Sequence, residues 1–225
     1  MTVSRTPSDR AGTPAWATRL IEAIERIYLV LRVNLVWIAL SLAGLVVLGV
    51  APASVAASDA FIAARHGAKV RVLATMWPSF REHLVTANVR MLPLMVVQAG
   101  SVAMLWIVAG GAVETPMMSA GLASLAAVSA AWSTASVATI MSTPRVRRQD
   151  PFVAWRLALL LPGAMPVRVI GLTLGLIVWM VLCSLVWPVA VLLGAAAAID
   201  LATSLLSRKV ELLLEEIENN RAAAS

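Results

Sequence analysis

Residues 91 to 144 read MLPLMVVQAGSVAMLWIVAGGAVETPMMSAGLASLAAVSAAWSTASVATIMSTP, without a single lysine or arginine. A helix crosses the roughly 30 Å hydrocarbon core with about 20 apolar residues, so this stretch has the length for two crossings. The break falls at Gly110, Gly111, Glu114 and Pro116, a turn that carries an acid and no base, as an outer loop should. The stretch therefore predicts a helical hairpin that leaves the basic side of a membrane and returns to it.

The rest of the chain repeats this arrangement. All 18 Lys and Arg residues fall in four blocks, and the stretches 33 to 64, 91 to 144 and 169 to 207 between them contain none. Basic residues collect in cytoplasmic loops, where anionic lipid and the membrane potential hold them. Each stretch then reads as one hairpin. The last divides at Pro188 into two crossings. The first is harder, because a division at Gly49 and Pro52 leaves only Ala53 to Ala64 for the return, about 18 Å of helix. Residues 53 to 66 can span, re-enter or lie in the interface. Six membrane-entering segments are preferred, since a five-span layout with an outer N-terminus strands Arg5, Arg10, Arg19, Arg26 and Arg32 outside.

Composition agrees: 60% of residues are hydrophobic, 13% are charged and the mean hydropathy is +0.86, more apolar surface than a soluble monomer tolerates. The net charge of +6 has a membrane explanation and does not indicate nucleic acid. The first apolar run begins near residue 28, after a long arginine-bearing tail, which fits a secretory signal poorly. Cys183 is the one cysteine, without a disulfide or C-x-x-C partner, and reads as a packing residue.

The basic blocks carry amphipathic patterns. Trp16, Leu20, Ile24, Ile27 and Leu31 share one helical face, with Glu22 and Arg26 spaced to pair. A second helix is predicted from Trp77, with Pro78 in its first turn and Ser79 and Glu82 as a capping box. A third opens at Asp150-Pro151, an N-cap followed by proline. The chain thus reads as three units of amphipathic helix plus hairpin, marked by Trp16, Trp77 and Trp155 and by outer-turn prolines Pro52, Pro116 and Pro188. Shared membrane constraints explain that pattern as well as internal repetition does. Residues 15 to 207 form one transmembrane domain and 208 to 225 a cytoplasmic helix and tail, with Val210, Leu213, Leu214 and Ile217 on one side and Glu211, Glu215, Glu216 and Glu218 around them. Residues 1 to 14 and 219 to 225 are predicted to be disordered.

Asn34-Leu35-Val36-Trp37, followed by an apolar run into Gly49-Val50-Ala51-Pro52-Ala53-Ser54-Val55-Ala56-Ala57, resembles the start of the bacterial YesL family of small integral membrane proteins. Phe80-Arg81-Glu82-His83 leading to Ala87-Asn88, and Ala158-Leu159-Leu160-Leu161-Pro162 with Pro166-Val167-Arg168, are similar to later segments of that family. Ser54-Val55 departs from the family's common Thr-Ala pair. The resemblance implies no reaction chemistry and transfers no functional residues. Members are often encoded beside carbohydrate ABC importers, so it implies a role near sugar uptake, with ABC-importer subunits as partners.

No H-E-x-x-H, G-x-S-x-G, phosphate-binding glycine loop or metal-spaced cluster occurs, so neither an enzyme nor a cofactor is expected. His66 and His83 share one basic loop and read as surface residues. Ionisable groups at membrane depth are costly and usually face protein interior or water. Glu114 is explained by its turn; Asp59 and Asp200 are not, and each can line a polar path, bind a proton or cation, pair with an arginine, or snorkel to the interface. Asn34 and Gln98 complete the candidate intramembrane polar positions, with interhelical hydrogen bonding as their usual purpose. Ser119, Ala123, Ala127, Ala131 and Ala135, the pair Gly171 and Gly175, and Gly194, Ala198 and Ala202 form small-residue rows for packing within the monomer or in a homo-oligomer.

The expectation is an all-α polytopic bundle of the bacterial inner membrane with both termini cytoplasmic. It is read as a non-enzymatic accessory or regulatory component of transport, in contact with the lipid bilayer. The alternative is a small secondary transporter or channel using Asp59 and Asp200.

Overall fold

The computed structural model describes residues 15–224, and among them every regular element is a helix. The tail expected over residues 1 to 14 lies outside the described residues. The helices are α1 (Ala15–Ala43), α2 (Val47–Arg65), α3 (Val72–Ala109), α4 (Pro116–Ser142), a short α5 (Pro144–Arg147), α6 (Pro151–Ala164), α7 (Pro166–Leu185) and α8 (Trp187–Ala224). Six of them, all but α5 and α6, are long and apolar enough to cross a membrane. The outer turns of the second and third hairpins fall where the sequence puts them, at residues 110–115 and at Val186 before Pro188.

The first hairpin turns earlier than predicted, at residues 44–46, and Pro52 lies inside α2 rather than at a turn. With 19 residues, α2 is about 28 Å long, enough for a full crossing. A proline inside a helix frees the carbonyl four residues back, here that of Leu48. The side-chain amide of Asn88 on α3 donates to that carbonyl at 2.8 Å, so the helix continues through Pro52 without leaving an orphaned acceptor.

This turn is unlike the other two. Leu42, Leu45, Val46, Val47 and Leu48 are all exposed, and no polar side chain interrupts them. Its amides bond within the chain: Gly44 to Leu40, Leu45 to Leu42, Val46 to Ser41 and Val47 to Leu45, at 2.7–3.1 Å. Leu45 and Val46 have φ of 59°. With ψ of −71°, Val46 is the centre of a strained γ-turn closed by the 2.7 Å bond from Val47 to Leu45. Gly49 permits the close return, since a methyl group there would lie 2.8 Å from Ser41 Cα. A turn that satisfies its own amides and shows only aliphatic side chains does not need water.

Helix α2 is the centre of the bundle. Of its most apolar window 61% is buried, against 6% for α7 and 11% for α3, and α1, α3, α4 and α8 all pack on it. Its buried residues are mainly small: Ala51, Ala53, Ala56, Ala57 and Ala60, with Val55 and Phe61 filling larger gaps. Between helices in lipid the hydrophobic effect offers little, and close backbone approach through small residues supplies the packing. Enclosure on all sides is incompatible with α2 lying flat in the interface.

Helix α3, 38 residues long, is a rail shared by two partners. Its first part packs along α2, with contacts from Ser79 to Asp59 and from Asn88 to Leu48. Its second part pairs with α4 through Gln98 to Thr134 and Ser101 to Ser129. Contrary to prediction, the first two amphipathic segments are not separate helices. Nothing in 31–34 or 88–91 stops a helix, so α1 and α3 run through from their basic portions into their apolar ones. Only the third stays separate, between Asp150 and the kink at Met165, where Pro162, Gly163 and Pro166 cluster. The units therefore differ in build, and Pro52 marks no turn, which removes two supports for internal repetition.

Other local expectations are also corrected. Helix α3 begins at Val72, so Pro78 is interior and Ser79 and Glu82 form no capping box. Glu22 does not pair with Arg26, which is drawn to Asp200. The predicted C-terminal helix is the uninterrupted end of α8, which reaches Ala224, so residues 219–224 continue a helix instead of forming an unstructured tail. Val210 is fully buried, and Glu215 pairs with Arg145 at 3.2 Å; the side chains of Ile217 and Glu218 lie outside the described residues. Gly175 meets α8, where an added methyl would sit 2.9 Å from Leu201 Cδ2, whereas Gly171 and Gly194 face open space.

Candidate functional site

The two acids that the sequence leaves unexplained are both held by arginines. Asp59, in the last two turns of α2, pairs with Arg147 of α5 and accepts a 2.7 Å hydrogen bond from the Ser79 hydroxyl of α3. Arg147 is only 7% exposed. Its guanidinium also donates to the Met141 carbonyl at 3.0 Å, and its own carbonyl accepts from Arg90, which reaches on to the Gln149 carbonyl at 2.7 Å. The Trp155 indole then donates to the Arg90 carbonyl at 2.8 Å. Asp59 thus anchors a network through α2, α3, α5 and α6.

A buried guanidinium is tolerable only when paired and hydrogen-bonded, and Asp59 supplies the opposite charge that Arg147 requires. The sequence reading missed Arg147. Its basic neighbours Arg145 and Arg148 are exposed, and nothing in the run Arg145-Val146-Arg147-Arg148 singles out the middle one except its position beside buried Val146.

Asp200, on α8, is clasped by Arg26 of α1 at 2.7 Å and Arg65 of α2 at 2.5 Å, and its carbonyl accepts from Arg65 at 2.9 Å. Its side chain is 13% exposed. The cluster closes the basic ends of three helices onto one carboxylate. It also lies between two cavities. One, of about 390 Å³, is lined by Glu22, Glu25, Arg26, Leu29, Phe61, Arg65 and Asp200. The other, of about 530 Å³, lies between α1, α7 and α8 and is lined by Val30, Gly175, Val178, Trp179 and Leu182 besides Arg26 and Asp200. The Arg26 to Asp200 pair is common to both walls.

The uncharged positions join helices. Asn34 is buried, and its amide donates to the Val191 carbonyl at 2.8 Å while its oxygen accepts from the Ala196 amide at 3.0 Å, so both ends of the side chain grip α8. Gln98 donates to the Thr134 hydroxyl at 2.8 Å. The four positions are not brought together: Asp59, Asp200 and Asn34 stand on different contacts around α2 and α8, and Gln98 belongs to the second hairpin. His66, just past the end of α2, and His83, within α3, each lie against the carbonyl four residues earlier, at 2.8 and 2.9 Å. Among the described residues no group of three or more His, Cys, Asp or Glu is arranged to hold a metal ion.

Comparison with curated proteins and with solved structures finds no match. Residues 30–103 match the family model described as a protein of unknown function, DUF624, the family that includes YesL-type proteins. The match takes in the second part of α1, α2 entire and most of α3, and with them Asn34, Asp59, Ser79, Asn88 and Gln98; over those residues this membrane-helical chain is similar to the DUF624 family.

Proposed function

We propose that this protein is a non-enzymatic accessory or regulatory component of membrane transport in the bacterial inner membrane, acting beside a carbohydrate ABC importer. The observation that carries this reading is that both unexplained acids are neutralised by arginines in contacts that fasten helices together, which gives them a structural task. What remains unfastened suits association: Trp16, Leu20, Ile24 and Ile27 form an apolar face on the first turns of α1 that no other helix covers. The link to sugar uptake rests on the family resemblance alone. Deleting the gene should lower the abundance or the uptake rate of one importer; if every importer keeps both, the proposal is wrong.

One observation favours a second reading, a small secondary transporter. Asp200 and Arg26 stand between a polar cavity at the basic end and a groove running toward Leu182 near the far end of α7, as a carboxylate on a path would. In proteoliposomes Asp200→Asn should then change the pH dependence of flux. Absence of wild-type flux under every imposed ion and sugar gradient removes this reading.

A further inference from the structure

Arginines that meet an acceptor within the bundle can be told from those that do not. Arg26, Arg65, Arg145 and Arg147 each meet a carboxylate, Arg90 donates to the Arg147 and Gln149 carbonyls, and Arg168 donates to the Leu205 carbonyl of α8. Arg32 of α1 and Arg71, the residue before α3, have neither kind of acceptor among the described residues. Both are exposed, and both line one groove of about 620 Å³ whose remaining walls are Val72, Leu73, Ala74, Trp77 and Pro78. No acid lines it. The Arg32 guanidinium lies 5.5 Å from the centre of the Tyr28 ring, a cation–π contact that steadies it without neutralising it. Lys69 is two residues before Arg71 and adds to the local positive field.

The apolar walls are as informative as the charge. Leu73 and Trp77 are 61% and 46% exposed, and Trp77 is braced by stacking on Phe80 at 6.2 Å. Tryptophan beside arginine at the end of a membrane helix is the composition of the headgroup region. A pocket with two uncompensated guanidinium groups at one end and exposed aliphatic and indole surface along its side is complementary to a molecule with an anionic head and an apolar tail.

We propose that the groove between α1 and the start of α3 is a binding site for an anionic phospholipid, with the phosphate between Arg32 and Arg71 and the first part of an acyl chain along Leu73 and Trp77. A soluble phosphate ester shares the head chemistry but gains nothing from the apolar wall. The site therefore selects lipid over free anion, and phosphatidylglycerol over a zwitterionic lipid whose own ammonium competes for the phosphate.

The test is native mass spectrometry of the full chain in mild detergent, titrated separately with phosphatidylglycerol, phosphatidylethanolamine and inorganic phosphate. Wild type should retain phosphatidylglycerol in preference to the other two. Replacing both arginines, R32Q/R71Q, should weaken that retention on the order of 30-fold, the effect of two interfacial arginines acting together. R32K/R71K should retain most of it, Arg156→Gln at an exposed position elsewhere should change nothing, and Trp77→Ala should weaken retention with both arginines in place. Equal retention by R32Q/R71Q and wild type overturns the proposal. Phosphate bound as well as phosphatidylglycerol overturns it too, by making the site one for a free anion.

Discussion

The pair Asp59 and Arg147 should be the most expensive contact in the bundle to break from one side. Removing one partner of a buried ion pair costs about 3–5 kcal/mol, because a charge stays behind without compensation. The Arg147 side chain is 6% exposed and that of Asp59 25%, so the two removals are unequal. Asp59→Ala leaves the guanidinium buried with only the Met141 carbonyl and an unbonded Nε; a loss of about 3 kcal/mol is expected, toward the lower bound because one carbonyl remains. Arg147→Met leaves Asp59 a quarter exposed and still bonded to Ser79, and about 2 kcal/mol is expected. Asp59→Asn keeps an oxygen for Arg147, places its amide beside the Ser79 hydroxyl, which can turn to accept, and loses the charge, about 1 kcal/mol. Since D59A and R147M remove the same interaction, the double variant should lose about 3 kcal/mol rather than the roughly 5 of an additive pair. Unfolding in mixed micelles of dodecyl maltoside and SDS, followed by the fluorescence of the eight tryptophans, measures all four. Losses that add to within about 0.5 kcal/mol would refute the pairing.

Asn88→Leu should destabilise by about 1 kcal/mol, because it orphans the Leu48 carbonyl freed by Pro52. In a Pro52→Ala background the restored amide takes over and the penalty should largely vanish; an unchanged penalty contradicts the account. Val46→Gly should raise the unfolding midpoint, since relief of roughly 1–3 kcal/mol of γ-turn strain exceeds the entropy that glycine adds; a lower midpoint would show that Val46 contributes packing the structure does not display. With Cys183 replaced, a cysteine at Leu45 should resist membrane-impermeant maleimide while one at Glu114 reacts. Comparable labelling at the two would put the first turn in water and contradict its reading as a lipid-facing turn.

The coarse fold was legible because the basic blocks, the acid in the middle turn and the proline after Val186 each act locally. The Asp150-Pro151 start was legible for the same reason, since a residue without an amide is favoured at the first helical position. Pro52 misled because its effect is cancelled from a distance: whether a proline ends a helix depends on a donor such as Asn88, 40 residues from the Leu48 carbonyl that it satisfies. Ser79 and Glu82 had capping-box spacing, yet no helix begins there and Ser79 serves Asp59. Glu22 and Arg26 are neighbours on one helix, but an exposed pair at that spacing is worth only about 0.2–0.5 kcal/mol, and the largely enclosed Asp200 draws Arg26 away. The sequence marked Asp59 and Asp200 as anomalous through their cost at membrane depth. It could not name their partners, because Arg147 and Asp59 are 88 residues apart and Arg26 and Asp200 174, and no periodicity links them.

The accessory role is tested most directly by the proteins that accompany a tagged full-length copy, expressed at native level and extracted in mild detergent. The account predicts stoichiometric permease or ATPase subunits of an ABC importer in the purified complex. Isolation of the chain alone, as monomer or homo-oligomer, from cells in which those importers are expressed would contradict it.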